Sequence, residues 1–229
     1  MSKVVPIDGG KLRLPGPRDR ITIIGPTGSG KSHAGLWHLS NATFLTRPYV
    51  VIDPKREELL QEIDGAEYVA VGEIPKHPGI YIMNPVPKDA PEVDQMLIDI
   101  WEQENVGVWI DEGLMFGTGD GIDACFTQGR SKRIPMIMLM QRPVWVSRFA
   151  VSEATFIQYF GLEDERDQRT VKSFARNLPV EQTLQQFHSF YYDVPRKKNY
   201  HFKPMPQANV ILNTLNAKLA TLKPQRKII

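Results

Sequence analysis

At 229 residues, with 41% hydrophobic and 24% charged side chains, the chain is long enough to bury one substantial core, as one domain or a domain with a small appendage. The single cysteine, Cys125, excludes a disulfide within the chain, and the lack of any apolar run of about 18 residues excludes an ordinary transmembrane helix. The formal net charge of +2 does not mark a polyanion binder, the five histidines show no metal-ligand spacing, and the opening residues lack the apolar stretch of a secretory signal, so the expected setting is a cytosol.

Residues 1–20, with several glycines, prolines and basic side chains, read as an N-terminal arm. ITIIG (21–25) is a β-branched run closed by glycine, hence a buried strand, and a helix follows from Lys31 to about Leu39. YVVIDP (49–54) is a second strand, stopped by Pro54, with a helix starting near Arg56; YVAV (68–71) and IYIMN (80–84) predict two further strands. Over 90–104, Val93, Met96, Leu97, Ile100 and Trp101 recur at the spacing of one buried helical stripe, and Asp89 and Glu92 are spaced as a capping box. VGVWID (106–111), MIMLM (136–140) and ATFIQYF (154–160) are strands, with a helix over 122–130 between the first two. HSFYYDV and NYHFKPM flank the polar turn PRKK as an antiparallel hairpin. A last helix, 207–222, carries Ile211, Leu212, Leu215, Leu219 and Leu222 on one side and breaks at Lys223-Pro224 into a basic tail.

Strands alternating with helices predict an α/β fold, a mainly parallel sheet covered on both faces. Residues 21–185 form its core, and the hairpin, last helix and tail (186–229) pack on it as one domain. Positive charge is clustered: residues 195–229 hold eight Lys and Arg and no acid, and 124–152 is also free of acid. Such runs serve either as a solvated face or as a contact for nucleic acid.

GPTGSGKS, Gly25 to Ser32, fits G-x-x-x-x-G-K-S and lies where that motif belongs, after a strand and opening a helix. Glycines allow the backbone N–H groups of Gly25, Pro26, Thr27, Gly28, Ser29, Gly30, Lys31, Ser32 and His33 (proline excepted) to curl around phosphate, and the helix N-terminus adds partial positive charge. Lys31 reaches the terminal phosphates of a nucleotide and Ser32 ligates Mg2+. The strand 106–111 delivers Asp111 to its carboxyl end as a holder of the metal's water shell. Glu112 follows, placed to orient or deprotonate an attacking water, as a hydrolase using ATP needs and a kinase must avoid. PMIMLMQRP ends a buried strand on Gln141, an uncharged amide suited to sensing the γ-phosphate, or simply to capping the strand. Lys55 points at phosphate or at solvent. The acidic run EDERD (163–167) reads as a solvated helix start, and Met136, Met138 and Met140 as core.

GPTGSGKS, IDPK (52–55), IDEG (110–113) and QGR…IMLMQRP (128–143) resemble, in order and wording, the HerA/FtsK superfamily of P-loop DNA-pumping ATPases over roughly residues 20–160. In size the chain is similar to the compact viral members, the genome-packaging ATPases of tectiviruses and other icosahedral viruses with an internal membrane. The resemblance implies a RecA-like sheet of order 5-1-4-3-2, a homo-hexameric ring, and double-stranded DNA threaded through it. It also implies an arginine finger in trans: Arg130 is carried over, Arg133 and Arg142 compete, and the bland alternative is a surface charge.

Taken with these residues, the resemblance implies an ATP-hydrolysing translocase that fills a preformed capsid. Its partners are capsid-vertex or portal-like proteins and a membrane protein at that vertex, and its setting is the host cytoplasm and the virion. A plasmid or conjugative pump, a nucleoside kinase and a nucleotide-dependent scaffold are the alternatives. The glycine-rich loop 116–121, the region of Trp145 and Arg148, the turn Arg196–Lys198 and the C-terminal tail are candidate DNA contacts.

Overall fold

A computed structural model describes residues 4–6, 11–116 and 118–222. Its centre is a ten-stranded sheet of β1 (Val4–Pro6), β2 (Arg20–Ile24), β3 (Pro48–Ile52), β4 (Glu67–Tyr68), β5 (Gly79–Met83), β6 (Gly107–Ile110), β7 (Met136–Met140), β8 (Phe156–Tyr159), β9 (Ser189–Asp193) and β10 (Lys198–Phe202). In space they run β1-β10-β9-β8-β2-β7-β6-β3-β5-β4. Every pairing from β8 to β4 is parallel, whereas β9, β10 and β1 add antiparallel. Numbered along the chain, β2, β3, β6, β7 and β8 lie side by side as 5-1-4-3-2, the order the resemblance implies. The sheet departs from a bare five-strand core by adding β5 and β4 beyond β3 and the hairpin beyond β8.

The helices are α1 (Lys31–Ser40), α2 (Glu58–Gln61), α3 (Ala90–Gln103), α4 (Gly113–Phe116), α5 (Asp120–Gln128), α6 (Phe149–Ser152), α7 (Glu165–Phe174) and α8 (Ala208–Ala220). The apolar runs of the central strands are continuous because both sheet faces are covered. Ile21, Ile23, Val51, Ile82, Trp109 and Leu139 pack with Leu36 and Leu39 of α1 and Ile211 and Leu215 of α8. Their neighbours in sequence, Ile24, Val50, Ile52, Val108, Ile110 and Met138, pack on the other face with Val93, Met96, Leu97 and Ile100 of α3 and Ile122 and Phe126 of α5. Gly35 lets α1 approach β6: a Cβ there would lie 2.6 Å from Trp109 Cη2. Among the described residues no helix is long and apolar enough to cross a membrane.

Several local expectations are corrected. The strand expected over 68–71 is only Glu67–Tyr68, because Gly72, at φ 84, turns the chain away. No helix starts at Arg56, whose own φ of 56 is left-handed; a single turn begins at Glu58. Asp89 does not cap α3. It accepts from Val86 N at 2.8 Å, because Pro87 starts a tight turn just ahead of α3 and the carboxylate closes that turn instead. The run EDERD does start α7, with Asp164 accepting from Arg166 N at 2.9 Å and Asp167 N at 3.2 Å, but it is not wholly solvated, since Asp167 is fully buried. The basic tail beyond Leu222 and Gly117 of the glycine-rich loop lie outside the described residues.

Candidate active site

The ends of β2 and β7 are level, since Ile24 pairs with Met140, and β6 stops two residues short of them, since Ile110 pairs with Met138. The segments leaving these strands therefore meet at one edge of the sheet, as ligand sites of open parallel sheets do. From β2 comes the glycine loop, with Gly28 and Gly30 at φ 76 and 99, values that favour glycine. Gly25 is pressed on Phe160: a Cβ there would sit 2.6 Å from Phe160 Cβ. Lys31 folds its ammonium back onto Pro26 O at 2.7 Å, a contact a phosphate oxygen can replace.

From β6 come Asp111, 4% exposed, and Glu112, whose φ of 57 turns the chain sharply. From β7 comes Gln141. Its Nε2 donates to Glu112 Oε2 at 2.7 Å and its Oε1 accepts from Thr27 Oγ1 at 3.1 Å, tying the loop to the glutamate. The fourth participant comes from β3, paired with β6 on the other side. Lys55 forms an ion pair with Glu112 Oε2. The turn that presents it is organised by buried Asp53, which accepts from Glu57 N at 3.0 Å.

These groups line a cavity of about 230 Å³, with Thr27, Lys31, Ser32, Lys55, Asp111 and Gln141 on its walls. Burial, reinforced by the Lys55 charge, pushes the Lys31 ammonium down to about 8. Burial pushes the Asp111 carboxyl up to about 6, against the pull of Lys55, and Asp111 Oδ2 is buried with no hydrogen-bond partner. Burial also works against the Lys55 ammonium, but the Glu112 hydrogen bond and the charges of Asp111 and Glu112 outweigh it and hold Lys55 above the ordinary lysine value. A buried carboxylate oxygen without a hydrogen-bond partner beside a desolvated lysine suits a metal cation and an anion bound together. A triphosphate with its metal would satisfy both.

Of the residues singled out by sequence, Thr27, Gly28, Lys31, Ser32, Asp111, Glu112 and Gln141 share this cavity. His33 is half-buried in the first turn of α1 and does not line it. Arg130 lies at the opposite end of the sheet, beside a second cavity of about 310 Å³ that it shares with Arg13, Arg20 and Arg196 near the starts of β2 and β8. Arg142 turns away from the cleft to pair with Asp164 at 2.9 Å and with buried Asp167, and it lies over the Trp145 ring at 4.6 Å. Arg133 is exposed on left-handed backbone, its carbonyl accepting from Arg47 at 2.7 Å. Sequence left Lys55 undecided, and Thr27 was read only as loop backbone. The signal for Lys55 was the strand end IDPK, which register with β6 brings against Glu112.

No family model matches the chain. The DNA packaging ATPase P9 of Enterobacteria phage PRD1 is 43% identical over 212 residues, a match covering 88% of this chain and 93% of that protein. Among solved structures, the genome packaging NTPase B204 of Sulfolobus turreted icosahedral virus 2, in complex with AMPPCP, superposes with a TM-score of 0.65 at 18% identity, covering 83% of this chain and all (100%) of that one. EssC (ATPases 2 and 3) of Geobacillus thermodenitrificans gives 0.62 at 12% identity, covering 93% of this chain and 45% of that one. The two structural likenesses speak for the fold.

Proposed function

The chain belongs to the viral DNA-packaging ATPases, and on that premise we propose how its cleft divides the work of hydrolysing ATP to move double-stranded DNA into a preformed capsid. The observation that carries this reading is the convergence of Lys31, Asp111, Glu112 and Gln141, from three neighbouring strand ends, on one cavity.

The glycine loop and the N-terminus of α1 hold the triphosphate, and Lys31 exchanges Pro26 O for a phosphate oxygen. Ser32 and the unpartnered Asp111 Oδ2 are the groups that would hold Mg2+. An ion held there would supply positive charge to offset that of the terminal phosphates. One carboxylate and one hydroxyl suit a metal shared with substrate oxygens rather than a dedicated protein cage.

Glu112 orients and deprotonates the attacking water. In the structure its Oε2 is occupied by Lys55 and Gln141, so a proton taken at that oxygen requires part of that bonding to be exchanged. Gln141 is suited to making that exchange depend on the nucleotide, because its amide touches both Thr27 and Glu112. Arg130, at the far end of its own subunit, acts only on a neighbour's nucleotide. That role requires a ring, which we take to be hexameric. A finger in trans is worth about 10³–10⁵ in rate.

The protein acts in the host cytoplasm and at the packaging vertex of the virion, docked on vertex or portal-like proteins and a membrane protein. Steady-state ATPase with and without duplex DNA, at two salt concentrations, tests the reading. Stimulation by DNA that weakens steeply with salt is expected. Phosphate transfer to a nucleoside, or slow turnover indifferent to DNA, contradicts it. Arg130→Ala subunits mixed with Lys31→Ala subunits are expected to recover part of the lost turnover, and no recovery at any ratio removes the finger.

A further inference from the structure

The phosphate loop has two flanks, and the hydrolytic groups occupy one. On one side of β2, strands β7 and β6 deliver Gln141, Asp111 and Glu112. On the other side β8 and β9 deliver aromatic rings. A Cβ on Gly30 would lie 3.3 Å from Phe187 Cδ1 and 3.6 Å from Phe160 Cε1. Phe160 is buried and belongs to the core. Phe187 is 44% exposed and is in neither core cluster. Its backbone is held at φ 62, a left-handed conformation that is unfavourable for a non-glycine residue. Neither core packing nor backbone preference accounts for a large ring held there.

A bound nucleoside triphosphate has a direction. With its terminal phosphate toward Glu112 and Gln141 and its phosphates in the loop, its nucleoside must leave toward β8 and β9. Neighbouring strands are about 4.8 Å apart, so the two flanks are separated by the span of a few strands, which a nucleotide covers. We propose that Phe187 is the platform on which the nucleobase stacks, which makes the β8–β9 flank the base subsite of the cleft. The proposal rests on the cleft being a nucleotide site.

The chemistry around the ring also defines the selectivity. From Gln182 to Ser189 the chain has no Asp, Glu, Lys or Arg, and Gln185 and Gln186 are exposed neutral amides. Stacking is indifferent to the base edge because every base has a π-face. The subsite therefore favours the large face of a purine and separates ATP from GTP only weakly.

Equilibrium binding of Mg-ATP, Mg-GTP and inorganic tripolyphosphate to wild type, Phe187→Ala and Phe187→Tyr tests this. Tripolyphosphate engages the loop without a base. Phe187→Ala is expected to weaken ATP and GTP together, on the order of tenfold, with tripolyphosphate within twofold of wild type; Phe187→Tyr restores both nucleotides. Unchanged ATP binding in Phe187→Ala overturns the proposal. So does an equal loss for tripolyphosphate, which would make the ring a prop for the loop. Hydrolysis is not read in this experiment, so its failure leaves the role of Glu112 standing, and a hydrolytically dead wild type would leave the base subsite standing.

Discussion

Gln141 Nε2 donates to Glu112 Oε2 at 2.7 Å, and the same amide accepts from Thr27 in the phosphate loop at 3.1 Å. The carboxylate proposed to activate water is thus linked to the loop proposed to hold phosphate through one uncharged side chain. Gln141→Ala is expected to lower kcat on the order of 10²-fold with ATP affinity within threefold, and Glu112→Gln to lower it on the order of 10²–10⁴-fold with ATP still bound. Turnover paired with equilibrium ATP binding checks both.

Lys55 spends its charge on Glu112 in the structure. Lys55→Met is therefore expected to act on kcat, by about tenfold, and to leave the KM for ATP within threefold. A tenfold rise in KM with kcat preserved would place Lys55 on phosphate instead.

Arg142 answers for the buried Asp167, which it shares with Val144 N at 3.2 Å. Removing one partner of such a pair leaves an uncompensated buried charge. Because the Arg142 side chain is 35% exposed, the cost is set at the low end, about 3 kcal/mol. Thermal unfolding of Arg142→Met is expected to show it, with part recovered in Arg142→Met/Asp167→Asn.

His38, 3% exposed in α1, donates from Nε2 to Gln158 Oε1 at 2.8 Å, and burial pushes its pKa down to about 4 from the ordinary 6.5. The unfolded chain takes up this proton before the folded one does. The stability associated with neutral His38 is therefore complete above pH 6.5 and falls as pH drops toward 4, by up to about 3 kcal/mol. Denaturant titrations of wild type and His38→Gln across that window are expected to converge in slope above it and diverge within it.

The strands and the phosphate loop were legible because their signals are local. MIMLM is apolar at every position because β7 is covered on both faces, and GPTGSGKS announces its own backbone. The groups that sequence left open depend on register between distant segments. Lys55 meets Glu112 only because β3 pairs with β6, and Asp167 is buried only because Arg142, 25 residues earlier, reaches it. The exposed approach of Phe187 to Gly30 joins segments on either side of the whole core, with no local pattern to mark it. The failed cap at Asp89 is the opposite case, a correct local motif captured by a nearer turn.

Phosphate cleavage in this cleft should do mechanical work on DNA, and a triplex-displacement assay reads that work. The protein is loaded on duplex bearing a short third strand, and release of that strand is followed. Release is expected from wild type with ATP, with none in a non-hydrolysable analogue and none from Glu112→Gln. Steady ATP hydrolysis by wild type on the same DNA, with the third strand left in place, would show that hydrolysis is not coupled to movement.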